Sequence, residues 1–72
     1  MQKLHVKHIV PGFLYRRLIG NHIGDVLITE VNGALCNAYD FGRDEYIQVV
    51  RASIVAGIRK GIFLSLNPEE YR

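Results

Sequence analysis

The segment from Gly24 to Gly33 constrains the fold of this chain more than any other. Gly24-Asp25 is typical of a tight turn, and the β-branched residues of Val26–Val31 favour a buried strand. Asn32-Gly33 then gives the strongest short turn signal in the sequence. The pattern predicts a strand that leaves through a type I′ hairpin turn, with Asp25 accepting hydrogen bonds from backbone donors at the first turn.

The residues before this segment predict a strand and a short helix. Apolar and polar residues alternate over Lys3–Val10, as in a half-buried strand, and Pro11-Gly12 ends that strand. Phe13–Ile19 is compatible with a short helical turn, for which Gly20-Asn21 is a natural stop. His22, which follows it, is expected to be exposed in a turn.

The residues after Gly33 predict a loose segment, a longer helix and a last strand. Ala34–Phe41 is mixed, with a possible short strand around Leu35. Apolar residues at helical spacing predict a helix over Asp44–Val55, stopped by Ala56-Gly57. Ile58–Leu66 then alternates as a strand, which closes at Asn67-Pro68 before a frayed polar tail.

Size and composition limit the classes of protein to which the chain can belong. With 72 residues it forms one domain (residues 1–72), and the lone Cys36 allows no intrachain disulfide. A hydrophobic fraction of 49% is typical of a globular chain, and no apolar run approaches the roughly 20 residues that span a bilayer. We expect a soluble, cytoplasmic domain, since neither a signal peptide nor a disulfide framework is apparent.

Several short motifs occur in an order that resembles the PDZ family. They are Val10-Pro11-Gly12, Leu18-Ile19-Gly20, Gly24-Asp25, Val31-Asn32-Gly33, the predicted helix at Asp44–Val55 and the predicted strand at Ile58–Leu66. The resemblance covers nearly the whole chain. It implies an α+β fold, a small, partly open β-barrel or sheet with one short and one longer helix. It also implies a scaffold or adaptor role in protein–protein interaction.

The chain departs from the PDZ pattern in two respects. One extra residue lies between Gly24-Asp25 and Val31-Asn32-Gly33, which predicts a β-bulge in that strand. The family's N-terminal strands and carboxylate-binding loop have no counterpart before Leu4. The chain therefore corresponds to a trimmed or truncated member, or to one that takes the missing strand from a partner.

The resemblance implies a peptide-binding site beside the predicted helix. A partner's extended peptide, ending in its C-terminus, would add a strand to the sheet edge. Arg43 would begin the helix and favour an acidic or polar side chain on the ligand, while Ile47 and Val50 would face the peptide one turn apart. Plain core packing of Ile47 and Val50 is the alternative interpretation.

The residues allow two further hypotheses, nucleic-acid binding and self-association. A small basic β-barrel that binds nucleic acid would use Arg16, Arg17, Arg59 and Lys60, with Tyr15 and Phe63 as stacking platforms. The net charge of +2 and the scattered basic residues make such a partner a weak expectation. Self-association through an open sheet edge can coexist with peptide binding.

Catalysis is not expected from this sequence. His5 and His8 would lie on opposite faces of a strand, which makes them poor co-ligands of a metal ion. A pairing of Cys36 with a histidine lacks any third group or oxyanion donor. We expect no enzyme activity, no metal and no cofactor.

Overall fold

The structure, a computed structural model, describes residues 4–20 and 23–66 and contains a five-stranded antiparallel sheet. A 3-10 turn at Val6–His8 precedes the sheet. In chain order the regular elements are β1 (Leu14–Arg17), β2 (Gly24–Asn32), β3 (Leu35–Asp40), β4 (Glu45–Val50), α1 (Arg51–Lys60) and β5 (Phe63–Ser65). The strands lie side by side in the order β4-β3-β2-β1-β5, so β4 and β5 are the two edges.

One face of the sheet carries the core, and α1 lies against that face. Because side chains alternate along a strand, Tyr15, Val26 and Ile28 point to the same side as Cys36 and Ala38. The helix joins one edge strand to the other, so it crosses the inner face and buries its apolar residues there. The core also contains Leu4, Ile9, Phe13, Ile54 and Val55.

The hairpin predicted at Asn32-Gly33 is confirmed, with a different turn geometry. Asn32 pairs directly with Leu35, so Gly33 and Ala34 are the two central residues. Gly33 has a φ of 61°, whereas Ala34 is not among the residues with positive φ. The type I′ prediction is therefore wrong, because only the first central residue is left-handed, as in a type II′ turn.

The predicted bulge in β2 is present. The register between β2 and β3 shifts between Ile28, opposite Ala38, and Glu30, opposite Asn37, so Thr29 is the extra residue. The short strand expected around Leu35 is also confirmed, and it extends to Asp40.

The helix predicted at Asp44–Val55 is wrong over its first half. Glu45–Val50 forms β4 and pairs residue by residue with β3, and α1 begins only at Arg51. A short apolar run fits either period, and here the β-branched residues and the available partner strand decide for the strand. The helix also passes through the predicted stop at Gly57 and ends at Gly61, whose φ of 82° suits a C-terminal cap.

The remaining element predictions are corrected as follows. The strand predicted over Lys3–Val10 contains the 3-10 turn instead, and the short helix predicted over Phe13–Ile19 is β1. The last predicted strand, Ile58–Leu66, is reduced to Phe63–Ser65 because α1 continues to Lys60. The coarse prediction of an α+β fold with a partly open sheet is confirmed.

The predictions for Asn21, His22 and residues 67–72 lie outside the described residues. Within the described ranges, no helix is both long and apolar enough to cross a bilayer.

Candidate functional site

The free edge of β4 is the candidate functional site. Arg51 donates its backbone N–H to Ala34, which continues the β3–β4 register as a hydrogen-bonded pair. Such pairs alternate along an antiparallel ladder, so Glu45, Ile47 and Val49 direct their backbone groups toward β3. The N–H and C=O groups of the intervening residues therefore point away from the sheet. These residues are Tyr46, Gln48 and Val50.

This edge carries few of the features that prevent strands from pairing with other chains. β4 has six residues, contains neither proline nor lysine, and pairs with β3 without a bulge. At the opposite edge, β5 has only three residues. No other strand among the described residues covers β4. The edge that is long enough to take another strand is therefore β4.

The three predicted site residues all lie at this edge, but not on one helix face. Arg43 lies in the β3–β4 turn, where its Nε is 3.0 Å from Glu45 Oε2. Ile47 points to the inner face and packs against the core, whereas Val50 lies on the outer face and is exposed. Three residues apart on a strand means opposite faces, so the predicted arrangement of Ile47 and Val50 one turn apart on a helix is wrong, and their contact with a ligand stays a prediction.

A shallow groove runs over the outer face of the sheet beside this edge. It has a volume of about 580 Å³ and opens to solvent. Asn37 Nδ2 donates to Glu30 Oε1 at 2.9 Å within it, and the bulge residue Thr29 donates its hydroxyl to Asn37 O at 3.2 Å. The groove is lined by Thr29, Glu30, Asn37, Tyr46, Ile47 and Gln48.

A row of apolar and aromatic side chains crosses the same outer face. Leu14 lies opposite Leu27, Leu27 opposite Tyr39, and Tyr39 opposite Tyr46. The ring of Tyr39 has edge-to-face contacts with Tyr46 at 5.1 Å and with Phe41 at 4.9 Å. Sequence reasoning missed this row because it assigned Tyr46 to a helix. The spacing of Tyr39 and Phe41, two residues apart after a strand signal, was the available clue.

A buried ion pair holds the turn that leads into β4. Asp40 is fully buried and accepts a hydrogen bond from the Arg17 guanidinium, reaching across β2. Its other oxygen accepts the backbone N–H of Arg43 at 3.2 Å. Burial alone would raise the pKa of Asp40, but the hydrogen bonds from Arg17, Arg43 and Gly42 outweigh it and hold that pKa below its ordinary value. Sequence reasoning did not single out Asp40.

The neighbouring arginine forms a second ion pair on the outer face. Arg16 Nε donates to Asp25 Oδ1 at 2.7 Å, and both side chains are partly exposed. Asp25 was predicted to accept hydrogen bonds from backbone donors of the turn. The structure instead gives it a side-chain partner on β1, because the two residues are directly opposite in the β1–β2 register.

Of the two residues proposed for nucleic-acid stacking, Tyr15 is buried and Phe63 is partly buried. Tyr15 is 2% exposed and its ring packs on Phe63 with centroids 4.9 Å apart, so the Tyr15 ring offers no free face of the kind that bases stack on. Arg16 and Arg17 are paired with carboxylates, and Arg59 donates to Leu4 O at 2.8 Å. The predicted combination of basic and aromatic residues does not form one surface.

Cys36, His5 and His8 lie in structural positions. Cys36 is buried, its Sγ lies 3.5 Å from Val49 O, and burial raises the pKa of its thiol. His8 Nδ1 accepts the backbone N–H of His5 at 2.9 Å, within the 3-10 turn rather than along a strand. Among the described residues no group of three or more His, Cys, Asp or Glu side chains is arranged to hold a metal ion.

Comparison with known proteins gives no relative. The chain matches no model of a known protein family, no curated protein and no solved structure.

Proposed function

We propose that this chain is a protein-interaction module that binds an extended peptide by adding it as a strand beside β4. The single observation behind the proposal is the unprotected outward edge formed by Tyr46, Gln48 and Val50. Main-chain hydrogen bonds to such an edge supply affinity, and alternate side chains of the added strand supply specificity. The residues on the two faces of the sheet beside β4 therefore indicate which side chains the ligand should carry.

The outer face favours a mixed polar and aromatic ligand. Side chains that project outward from an added strand would lie beside Tyr46, Gln48 and Val50, at the mouth of the groove. The groove is polar at Glu30 and Asn37, and the exposed ring of Tyr46 offers an apolar contact. We expect a hydroxyl or amide side chain next to the groove and an apolar one next to Tyr46.

The turn before β4 adds a charge preference. Arg43 is exposed, and its guanidinium pairs with the exposed carboxylate of Glu45, an interaction worth about 1 kcal/mol or less at a surface. A ligand carboxylate can replace Glu45 at little cost. The proposal therefore keeps the preference of Arg43 for an acidic or polar ligand side chain.

PDZ-like identity remains a proposal of its own. Strand addition is the binding mode that the resemblance implies. The site proposed here is a bare sheet edge, because the residues predicted for the helical wall of a PDZ groove belong to β4. Recognition of a ligand C-terminus is consequently a separate question from strand addition.

The test is an NMR titration of the isotopically labelled full chain with a synthetic peptide. The probe is an acetylated hexapeptide of alternating threonine and valine, in free-carboxylate and C-terminally amidated forms. We expect the amide protons of Tyr46, Gln48 and Val50 to move downfield and to exchange more slowly with solvent. Those of Ile47 and Val49 already bond to β3, so their exchange should change little.

Two variants make this test specific. Gln48→Pro removes an outward N–H and should abolish the response, whereas Gln48→Thr keeps the N–H and should preserve it. Perturbations that ignore the odd–even alternation, or that lie away from β4, would contradict strand addition. An equal response to both forms of the peptide would exclude recognition of the carboxylate terminus.

A further inference from the structure

The edge of β4 is complementary to a second copy of itself in antiparallel orientation. A twofold axis perpendicular to the sheet at Gln48 sets Gln48 opposite Gln48, Tyr46 opposite Val50, and Ile47 opposite Val49. Faces are preserved by this axis, so inner residues meet inner residues and outer residues meet outer ones. The two sheets then become one continuous sheet.

In this register every outward backbone group of β4 meets a partner. Tyr46, Gln48 and Val50 carry the outward N–H and C=O groups, and each lies opposite another member of the same set. A hydrogen-bonded antiparallel pair exchanges two bonds, and the three pairs formed here satisfy the whole edge. Moving the twofold axis from Gln48 to Ile47 would pair Val50 with Asp44. Asp44 lies outside β4 and has a φ of 54°, so it does not continue the strand.

The side chains favour the same register. Ile47 against Val49 is an apolar pair on the inner face, and Tyr46 against Val50 joins an aromatic to a β-branched residue on the outer face. Both Tyr46 and Val50 are exposed in the single chain, at 74% and 43%. The axis centred on Ile47 would instead place Glu45 against Val49, a carboxylate against an apolar side chain.

Charge is complementary at the two ends of the paired strands. Glu45 of one copy lies opposite Arg51 of the other, the first residue of α1, whose guanidinium donates to Gly33 O at 2.9 Å and to Val6 O at 3.0 Å and keeps its positive charge at this end of the strand. In the part of the chain that the structure describes, α1 begins without a side-chain cap and without an acidic residue in its first turn. A carboxylate brought to this end of the helix meets both a cation and the positive end of the helix dipole.

We propose that β4 pairs with β4 of a second copy about Gln48, and that the resulting dimer closes the peptide-binding edge. This regulatory role rests on the proposed function, since it supposes that the same edge binds peptides. A partner that adds a strand then competes with self-association. Peptide affinity should fall as the protein concentration rises into the range where dimers form.

The first experiment is sedimentation equilibrium of the full chain over a wide range of concentrations. The wild-type mass should rise from that of one chain toward that of two. Gln48→Pro should remain a single chain at all concentrations, whereas Gln48→Thr should associate like the wild type. A mass of one chain throughout for the wild type would overturn the dimer, as would a Gln48→Pro protein that still dimerises.

A pair of charge variants tests the register independently of the backbone. Glu45→Lys places a lysine opposite Arg51, and the twofold axis creates two such like-charge pairs in each dimer. The dimer Kd should therefore rise about tenfold. Asp25→Lys makes the same change of net charge on β2, two strands from β4 and outside the groove, and should leave the dimer Kd unchanged. If the two variants associate equally, Glu45 does not face Arg51 and the register is wrong.

The peptide titration separates this inference from the proposed function. In solutions dilute enough for single chains, the hexapeptide should shift the amides of Tyr46, Gln48 and Val50. If it does so while the mass never exceeds one chain, the dimer fails and peptide binding stands. If dimers form but the dilute chain never responds to the peptide, the proposed function fails and the regulatory role fails with it.

Discussion

The two sides of the sheet are held by different kinds of interaction. On the β5 and β1 side, side chains lock neighbouring elements: Tyr15 packs on Phe63, and Arg17 reaches the buried Asp40. On the β4 side, the ladder to β3 holds the strand, and the residues with outward backbone groups keep exposed side chains. The β4 edge can stay open because the side-chain contacts on the β5 and β1 side stabilise the sheet. Stability and binding are therefore expected to respond to different substitutions.

The largest expected effect is the loss of the buried carboxylate. Asp40→Ala removes the acceptor of Arg17 and of the Arg43 backbone N–H at a fully buried position. Removing one partner of a buried ion pair costs about 3–5 kcal/mol, measured here as the free energy of unfolding in urea. If the variant is too unstable for a full transition, Asp40→Asn keeps an acceptor and should lose less.

The exposed ion pair gives the matched control for Asp40. Asp25→Ala removes the partner of the adjacent Arg16, and both side chains of that pair are partly exposed. A surface pair contributes about 1 kcal/mol or less, so this variant should unfold close to the wild-type urea concentration. Equal losses for Asp25→Ala and Asp40→Ala would show that burial does not distinguish the two pairs.

A smaller effect is expected where α1 meets β5. A Cβ atom added at Gly57 would overlap the ring of Phe63, and the ring can relieve this overlap only by leaving its contact with Tyr15. Overpacking costs about 1–3 kcal/mol and exceeds the roughly 1 kcal/mol that alanine gains over glycine in a helix. Gly57→Ala should therefore lower the free energy of unfolding. A double variant with Phe63→Leu should recover part of the loss if this contact is its cause.

The pH dependence of stability should reflect the burial of Tyr15 on β1. Burial raises the pKa of Tyr15 to about 12, although the positive charge of Arg17 opposes the shift. The unfolded tyrosine ionises near its ordinary pKa of about 10, so the neutral phenol favours the folded state fully below that pH. This contribution, about 2–3 kcal/mol, should disappear as the pH rises from about 10 to 12. Tyr15→Phe should show a flatter loss of stability over that range.

The sequence predicted the strand at Val26–Val31, although Gly24-Asp25, expected as a tight turn, belongs to the same strand, and it did not predict the strand at Glu45–Val50. Around Asn32-Gly33 the signals are local, since a glycine with positive φ and a β-branched run determine the hairpin by themselves. Glu45–Val50 is a strand because it pairs with β3. The spacing of apolar residues within six positions does not reveal that pairing. The same reason hid Asp40, whose partner Arg17 lies on a strand that was expected to be a helix.

The error in secondary structure also changed the geometry predicted for the candidate site. Arg43, Ile47 and Val50 were predicted at the ligand site, and they do lie together at the edge of the sheet. Their roles changed because the secondary structure changed: Ile47 became part of the inner packing, and Gln48, two residues after Tyr46, became the centre of the edge. Which residues lie near one another was thus more predictable than how their side chains are arranged, and their contact with a ligand stays a prediction.

The smallest expected effect on stability belongs to the residue with the largest expected effect on binding. Gln48→Pro removes an N–H that points to solvent and keeps the extended backbone, so it should cost less than about 1 kcal/mol at concentrations where the chain is single. Val49→Pro is the contrasting change, because that N–H bonds to β3, and it should cost clearly more than Gln48→Pro, since proline removes a ladder hydrogen bond there. Urea unfolding of the two variants measures the difference directly. If Gln48→Pro destabilised the chain as much as Val49→Pro, the alternation of inward and outward groups along β4 would be misassigned, and the open edge would begin one residue away.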